Sequence, residues 1–481
     1  MDRILGVPAP AKNRTAISRD TPPIPEKQAW RALAALSVGL FITLLDQSLV
    51  AVSLPSIRAE FDAGINQAVW VSAAYLLAFA VPLLITGRLG DRFGQRNVYL
   101  VGMAVFTLGA LACSLAPTIE WLIALRVLQG LGGSLINPQP LSIIHRIFAH
   151  SRRGAATGVW SAVASSAGLF GPVLGGVLVG TAGWRWVFFV YVPLGLISLV
   201  MVARNVPRLP TGTSRIDVLS GLVSLIAVLG IVFTLQQGPE VGWAPWLWIV
   251  LAIGLLALVL FLRLQRTAGR RGTEALVPLE LFRHPNFALG VGAVFTLGFT
   301  VYSINLPIML YLQEAQGLPA ELAGLMLLPM GLVSVVMSPV IGRLTDRLSP
   351  GRISRIGFSA LIAAMALFGV FMHLGVGAGW LLVPVIALGF ANSLCWAPNS
   401  TISLRDLPPT LVGAGSGVYN TSRQVGAVVG AAALGATMQA GVGAVGFGAA
   451  MGNALLVPVV LLLAGLLAVS RFRADGRPRD A

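Results

Sequence analysis

Two ionisable side chains in this sequence stand where charge is costly. Asp46, in the stretch LLDQSLVAVSLP (44–55), lies inside an apolar run that begins near Trp30, ~24 Å along a helix rising ~1.5 Å per residue. Arg126, in RVLQGLGGS (126–134), lies inside another such run. An ionised side chain at the centre of a bilayer costs roughly 2.5–3.5 kcal/mol on insertion scales. Pairing lowers that cost, and the depths agree: Asp46 falls ~12 Å from the far end of its run and Arg126 ~9 Å from the far end of its own. Burial favours the neutral acid, whereas a nearby guanidinium favours the carboxylate. A change in hydration, or in the separation of the two groups, would therefore move a proton on or off Asp46. The expected chemistry is proton coupling by Asp46 and Arg126. Two plainer roles stay open: an arginine that bonds backbone carbonyls, and an acid that is permanently neutral.

Other polar residues at membrane depth are candidates for lining a cavity: Gln47, Gln129, Tyr302, Asn305, Asn392, Asn399 and Arg423. For Tyr302, Asn305, Asn392 and Asn399 a satisfied interhelical bond is the plainer reading, and Arg423 fits cavity lining or structural bonding equally. Nothing points to a nucleotide or metal site. GVGAVG (441–446) spells a dinucleotide fingerprint but joins two apolar runs with no strand before it. The two cysteines, Cys113 and Cys395, lie in apolar runs and do not form a disulfide framework. With no convergent nucleophile–base set at depth an enzyme is not expected, and the short tails leave no room for a receptor's signalling domain. No cofactor is expected.

These residues must be held by membrane-spanning helices. Apolar residues make up 56% and charged residues 11% of the 481, against roughly 25% charged in a soluble domain. Runs of ~20 apolar residues fall near 30–54, 67–87, 98–117, 120–144, 154–180, 185–203, 217–236, 244–264, 286–313, 320–341, 355–374, 380–403, 410–437 and 447–470, so fourteen helices are expected. Charge tests the count. With the N-terminus inside, only Arg58, Arg126, Arg185 and Arg423 of the 33 Lys and Arg fall outside the cytoplasmic segments. One miscounted helix would have inverted every later loop. The net charge of +15 thus writes topology and is no nucleic-acid signature.

The loop GRLGDRFGQR (87–96) after the second run returns as GRLTDRLSPGR (342–352) after the tenth. Two six-helix repeats with two helices inserted between them follow, an arrangement of secondary transporters. The expected organisation is a disordered cytoplasmic tail over 1–29, a six-helix bundle over 30–203, two inserted helices and a linker over 204–285, a second bundle over 286–470 and a cytoplasmic tail over 471–481. In the first loop Gly87, Arg88, Asp91, Arg92, Gly94 and Arg96 make a candidate inner gate: Asp91 can cap a helix, and the arginines can bond carboxylates or helix ends of the facing half. Asp346 and Arg347 are the looser copy. Topology alone would also explain these charges. Asp217 is expected to cap the seventh helix.

GRLGDRFGQR, RVLQGLGGS, GLFGPVLGGVL (168–178), GWRWVFFVYVPLG (183–195) and GAGSGVYNTSRQVGAVVG (413–430), in this order, resemble the major facilitator superfamily and, within it, the fourteen-helix drug–proton antiporter branch (EmrB/QacA type). The third stretch resembles the antiporter signature of that branch, which gives Gly168, Gly171, Pro172, Gly175 and Gly176 a conformational role; close helix approach through small residues is the plainer one. The chain departs from the branch at Ser48, Ala51 and Tyr191, where Thr, Asn and Asn are usual. The resemblance implies an all-α polytopic fold and a proton-coupled exporter of amphipathic organic compounds such as drugs or dyes. Export of a lipid, glycolipid or endogenous metabolite is the alternative. With no ATP-binding motif, the proton gradient is the energy source. The partners expected are a small amphipathic substrate, protons and the lipid bilayer, for a monomer in the cell membrane with both termini cytoplasmic.

Overall fold

The computed structural model describes residues 24–149, 152–211, 217–271, 273, 275–301, 303–408 and 411–473. Among them every regular element is a helix. A backbone in hydrocarbon must satisfy its own polar groups, and a helix does so within one segment.

The first half comprises α1 (Glu26–Phe61), α2 (Ile65–Ala80), α3 (Leu83–Phe93), α4 (Gln95–Ser114), α5 (Ile119–Ile136), α6 (Gln139–Ile147), α7 (Arg153–Ala182), α8 (Arg185–Phe189) and α9 (Tyr191–Asn205). The inserted pair is α10 (Val218–Gln237) and α11 (Pro245–Thr267). The second half comprises α12 (Pro285–Val301), α13 (Asn305–Leu310), α14 (Ala320–Met326), α15 (Leu328–Arg347), α16 (Pro350–His373), α17 (Leu382–Arg405), α18 (Val412–Val445), α19 (Phe447–Ala454) and α20 (Leu456–Ser470). Because α1 begins at Glu26, residues 26–29 belong to the helix and not to the expected tail.

Twelve helices among the described residues are long and apolar enough to cross a membrane, and the pair α2–α3, bent by 49°, makes a thirteenth. Pro82, with no backbone N–H to give, sits at that bend. The expected fifth span falls in α7, of which 166–182 counts only as a shorter apolar helix. The expected fourteen is thus not reached by length and composition, although each of the fourteen segments is helical. The chain is a multi-pass membrane protein.

Burial separates central helices from peripheral ones. The most apolar window of α1 is 78% buried inside the protein, that of α11 only 17%. α1 packs against α7 and α9, and α5 sits between α2 and α4; in the second half α12 packs on α18, and α16 on α17. The halves meet where α7 touches α14 and α15, where α2 touches α18, and where α1 touches α13. The inserted α10 lies against both α2 and α18, and α11 against α10, leaving Trp248, Ile249, Ile253 and Leu256 to face lipid. Both described chain ends lie on one face, where Arg152 pairs with Glu26 at 3.4 Å and Asn286 Nδ2 donates to the Arg473 carbonyl at 3.3 Å.

Asp217 caps α10 as the sequence predicts: Oδ1 accepts from the Ser220 N–H at 3.0 Å and Oδ2 from Arg271 Nη2 at 2.9 Å. Burial opposes its charge, but the bonds from Ser220 and Arg271 outweigh burial and hold the carboxyl below the usual carboxylate range.

Candidate functional site

Arg126 and Asp46 meet. Arg126 Nη1 lies 2.9 and 2.8 Å from the two carboxylate oxygens, with side-chain exposures of 1% and 0%. Gln129 completes the group: Nε2 donates to Asp46 Oδ1 at 3.1 Å, and Oε1 accepts from Arg126 Nη1 at 2.7 Å. Gln129, expected to line a cavity, is a member of the charge site instead. It stands three residues after Arg126, one turn along α5, and so shares its face. Arg126 Nε donates to the Val71 carbonyl at 3.0 Å, so the arginine also plays the backbone-bonding role. Its guanidinium lies 4.1 Å from the centre of the Tyr75 ring and 5.7 Å from that of Phe188. A cation over aromatic faces gains attraction without needing a second anion.

Glycines make the approach possible. A Cβ on Gly130 would stand 2.5 Å from the Tyr75 carbonyl, and so would drive α5 away from α2. The group as a whole is a neutralised charge pair enclosed by charge-assisted hydrogen bonds. It can hold a carboxylate in low dielectric, because each charged group there has hydrogen-bond partners.

The comparisons with known proteins give the family. The family model described as Major Facilitator Superfamily matches residues 36–236 and 213–431. The chain belongs to the major facilitator superfamily. An uncharacterised transporter of the major facilitator type from Mycobacterium tuberculosis is 42% identical over 424 residues, covering 88% of this chain and 73% of its own. The tetracenomycin C resistance and export protein of Streptomyces glaucescens is 33% identical over 421 residues, covering 86% of this chain and 77% of its own. Among solved structures, the D-xylose–proton symporter has a TM-score of 0.68 over 93% of this chain and 99% of that one. Its identity is 12%, so the likeness shows the fold.

On the chain-end face of this major facilitator protein, the loop residues bond close to home. Arg88 Nη2 donates to the Ala275 carbonyl in the linker at 2.8 Å, and Arg96 donates to the Ala203 carbonyl at the end of α9. Asp91 lies in the last turn of α3, where it accepts from Gln95 at 3.0 Å and pairs with Arg146 at 3.5 Å. It does not cap a helix start as expected: Gly94, with φ of +89°, breaks the chain three residues later, and α4 begins after it. Arg92 lies over the Phe93 ring, 5.4 Å from its centre. Gly87 has open space on its Cβ side apart from Pro138 at 3.9 Å. The side chains of Asp346 and Arg347 lie outside the described residues.

In α7 the small residues serve two different neighbours. A Cβ on Gly171 would collide with Ser48 Oγ of α1, and one on Gly176 would stand 2.6 Å from the Ala320 carbonyl of α14, in the other half. Gly175 faces Val52 of α1, and Gly324 of α14 approaches the Pro172 carbonyl. Among the described residues nothing lies on the Cβ side of Gly168.

The second-half candidates disperse. Asn399 is fully buried and donates to the Tyr419 hydroxyl at 2.8 Å and the Gly290 carbonyl at 3.3 Å, tying α17 to α18 and α12. Asn392 accepts from Trp396 at 2.8 Å, and the Arg423 guanidinium lies 5.8 Å from the Trp396 ring centre. Asn305 has a buried Oδ1 with no partner among the described residues. Tyr302 lies outside them.

The sequence reading missed a bond between the halves. Arg58, near the end of α1, reaches both oxygens of Glu314 at 2.6 and 2.7 Å, and Gln313 Nε2 donates to the Val52 carbonyl at 3.0 Å. Glu314 sits in a π-helical turn, Tyr311–Ala315, that follows α13. The signal was present: Arg58 and Arg185 break the charge asymmetry of the loops, and each has an acid, Glu314 and Glu60.

Proposed function

We propose that this transporter exports amphipathic organic compounds, drugs and dyes among them, in exchange for protons, as a monomer in the cell membrane with both chain ends cytoplasmic. Resistance and export in the name of a relative that covers 86% of this chain supports the direction and the substrate class. The observation that carries the coupling is the Asp46 carboxylate, without exposure to solvent and held by Arg126 and Gln129 beside the meeting of the two halves. A proton arriving at Asp46 cancels the charge that binds Arg126, and the freed guanidinium then depends on Gln129, Val71 and the aromatic rings. The energetic balance between the two arrangements of the halves shifts accordingly. One charge crossing with the membrane field supplies ~2.3 kcal/mol per 100 mV.

Alternating access needs one side closed while the other opens. The face away from the chain ends is tied across the halves by Arg58–Glu314, Gln313–Val52 and the α7–α14 approach. The described loop bonds of the chain-end face run within the first half and to the linker.

The test is Asp46→Asn in everted membrane vesicles. The variant should bind a fluorescent dye and lose its export by an imposed pH gradient. Full gradient-driven export by Asp46→Asn would overturn the coupling role.

A further inference from the structure

Beside the charge pair lies a small cavity of about 20 Å³, lined by both halves. Gln47, Tyr75 and Arg126 line it from the first half, and Ser303, Leu306 and Ala431 from the second. It admits about one water-sized molecule, so a substrate enters only when the seam widens towards one face. Gln47 is the feature of this cavity that the charge pair leaves unexplained. Both its amide atoms are buried, and neither meets a hydrogen-bond partner among the described residues. Consecutive helix residues point ~100° apart, so Asp46 faces Arg126 while Gln47 faces the seam. A buried amide left unpaired weakens the protein, and native structures rarely keep one without a use.

The charges around the cavity narrow what could pair with that amide. Among the described residues no carboxylate lines it, and the one charged group is Arg126. Asp46, next to Gln47 in the chain, has both oxygens on Arg126. An organic cation would therefore meet a guanidinium and find the anion already taken. An uncharged molecule meets no such opposition, and the apolar Leu306 and Ala431 suit its hydrocarbon. A carboxamide offers an N–H donor and a carbonyl acceptor side by side, and the complementary ligand offers the same two groups in reverse.

Resting on the exporter reading above, we propose that the Gln47 carboxamide anchors the transported compound and selects uncharged amphipathic molecules with an N–H or O–H donor beside a carbonyl, against lipophilic cations. A site built to hydrogen-bond a ligand strongly rejects an analogue that lacks the bonding group, because its own polar atoms then stay unpaired.

The test is equilibrium binding to the purified full-length transporter with three probes: the lactam 2-quinolone, its N-methyl analogue and ethidium. For the unaltered protein, the lactam Kd should lie at least about tenfold below those of the other two, the scale of one well-formed hydrogen bond. Gln47→Leu should erase the lactam's advantage over the N-methyl compound, weakening the lactam, which loses two bonds, more than the N-methyl compound, which keeps only its carbonyl and loses one. Gln47→Glu should tighten ethidium. Should Gln47→Leu fail to fold in a thermal-unfolding check, Gln47→Asn, with the same groups on a shorter stem, should keep the preference at reduced affinity. A preference for ethidium in the unaltered protein, or a lactam preference that survives Gln47→Leu, overturns the proposal; so does the absence of binding by all three. Gradient-driven export separates the two readings. If ethidium is bound and exported while the lactam is not, the exporter reading stands and this inference falls. If the lactam binds through Gln47 but no probe is moved, the exporter reading falls.

Discussion

The two halves share a repeated loop and a helical plan, but they handle polarity in opposite ways. At the centre of the first, a full charge pair is sealed between α1 and α5 with Gln129 and aromatic rings around it. At the centre of the second, a buried neutral group ties helices together: Asn399 of α17 bonds Tyr419 of α18 and Gly290 of α12. A neutral bond between helices is a fixed strut. A carboxylate–guanidinium pair has a second state within reach of one proton. On the proposed coupling, the capacity to switch lies in the first half and the capacity to hold shape in the second.

Breaking the pair is the strongest test of that contrast. Arg126→Leu leaves a buried carboxylate uncompensated and should cost about 3–5 kcal/mol of unfolding free energy, with proton-driven efflux abolished. Changing both partners, Asp46→Leu with Arg126→Leu, should recover most of that stability and none of the efflux. Asn399→Ala should cost about 1–3 kcal/mol, the desolvation of the groups left behind, and leave the pH dependence of efflux unchanged. Thermal unfolding in detergent and vesicle efflux measure both. Equal effects on pH dependence from the two sites would break the comparison.

A smaller effect is expected where the halves touch. Arg58 and Glu314 are partly exposed, with side-chain exposures of 18% and 30%, and such pairs contribute up to about 1 kcal/mol. Arg58→Glu should change the transport rate by about fivefold, and the swap Arg58→Glu with Glu314→Arg should restore it. An additive double-mutant cycle would remove this bond from the closing of that face.

The smallest effect belongs to the inserted pair. The Asp217 carboxyl sits below its ordinary value of 3.8 in the folded chain. Its contribution to stability is therefore complete above pH ~3.8 and is lost as the pH falls through the lower folded value. Asp217→Asn should flatten the acid limb of the thermal-unfolding profile, and an unchanged limb would show that the cap does not hold α10.

Much of this was legible in the chain. The apolar runs, the charge asymmetry of their loops and the repeat of GRLxDR give an all-helical membrane protein with an inserted pair. Asp46 and Arg126 stand out because charge is expensive in hydrocarbon. The cap at Asp217 is local, set by Ser220 three residues on. Other features could not be read. The bend between α2 and α3 depends on how Pro82 is packed, and Gln129, Asn392 and Asn399 looked alike as polar residues in apolar runs until their neighbours were fixed.

The sequence by itself determined which segments are apolar helices and where along each helix its charges stand, because hydrophobicity and rise per residue act along one helix. Only the tertiary structure decided who meets whom. It gave Asp46 to Arg126 and Gln129, Glu314 to Arg58 across 256 residues, and left the Gln47 amide facing the seam. Those choices rest on helix rotation and close approach through glycine, which are settled by all the helices at once and not by any one of them.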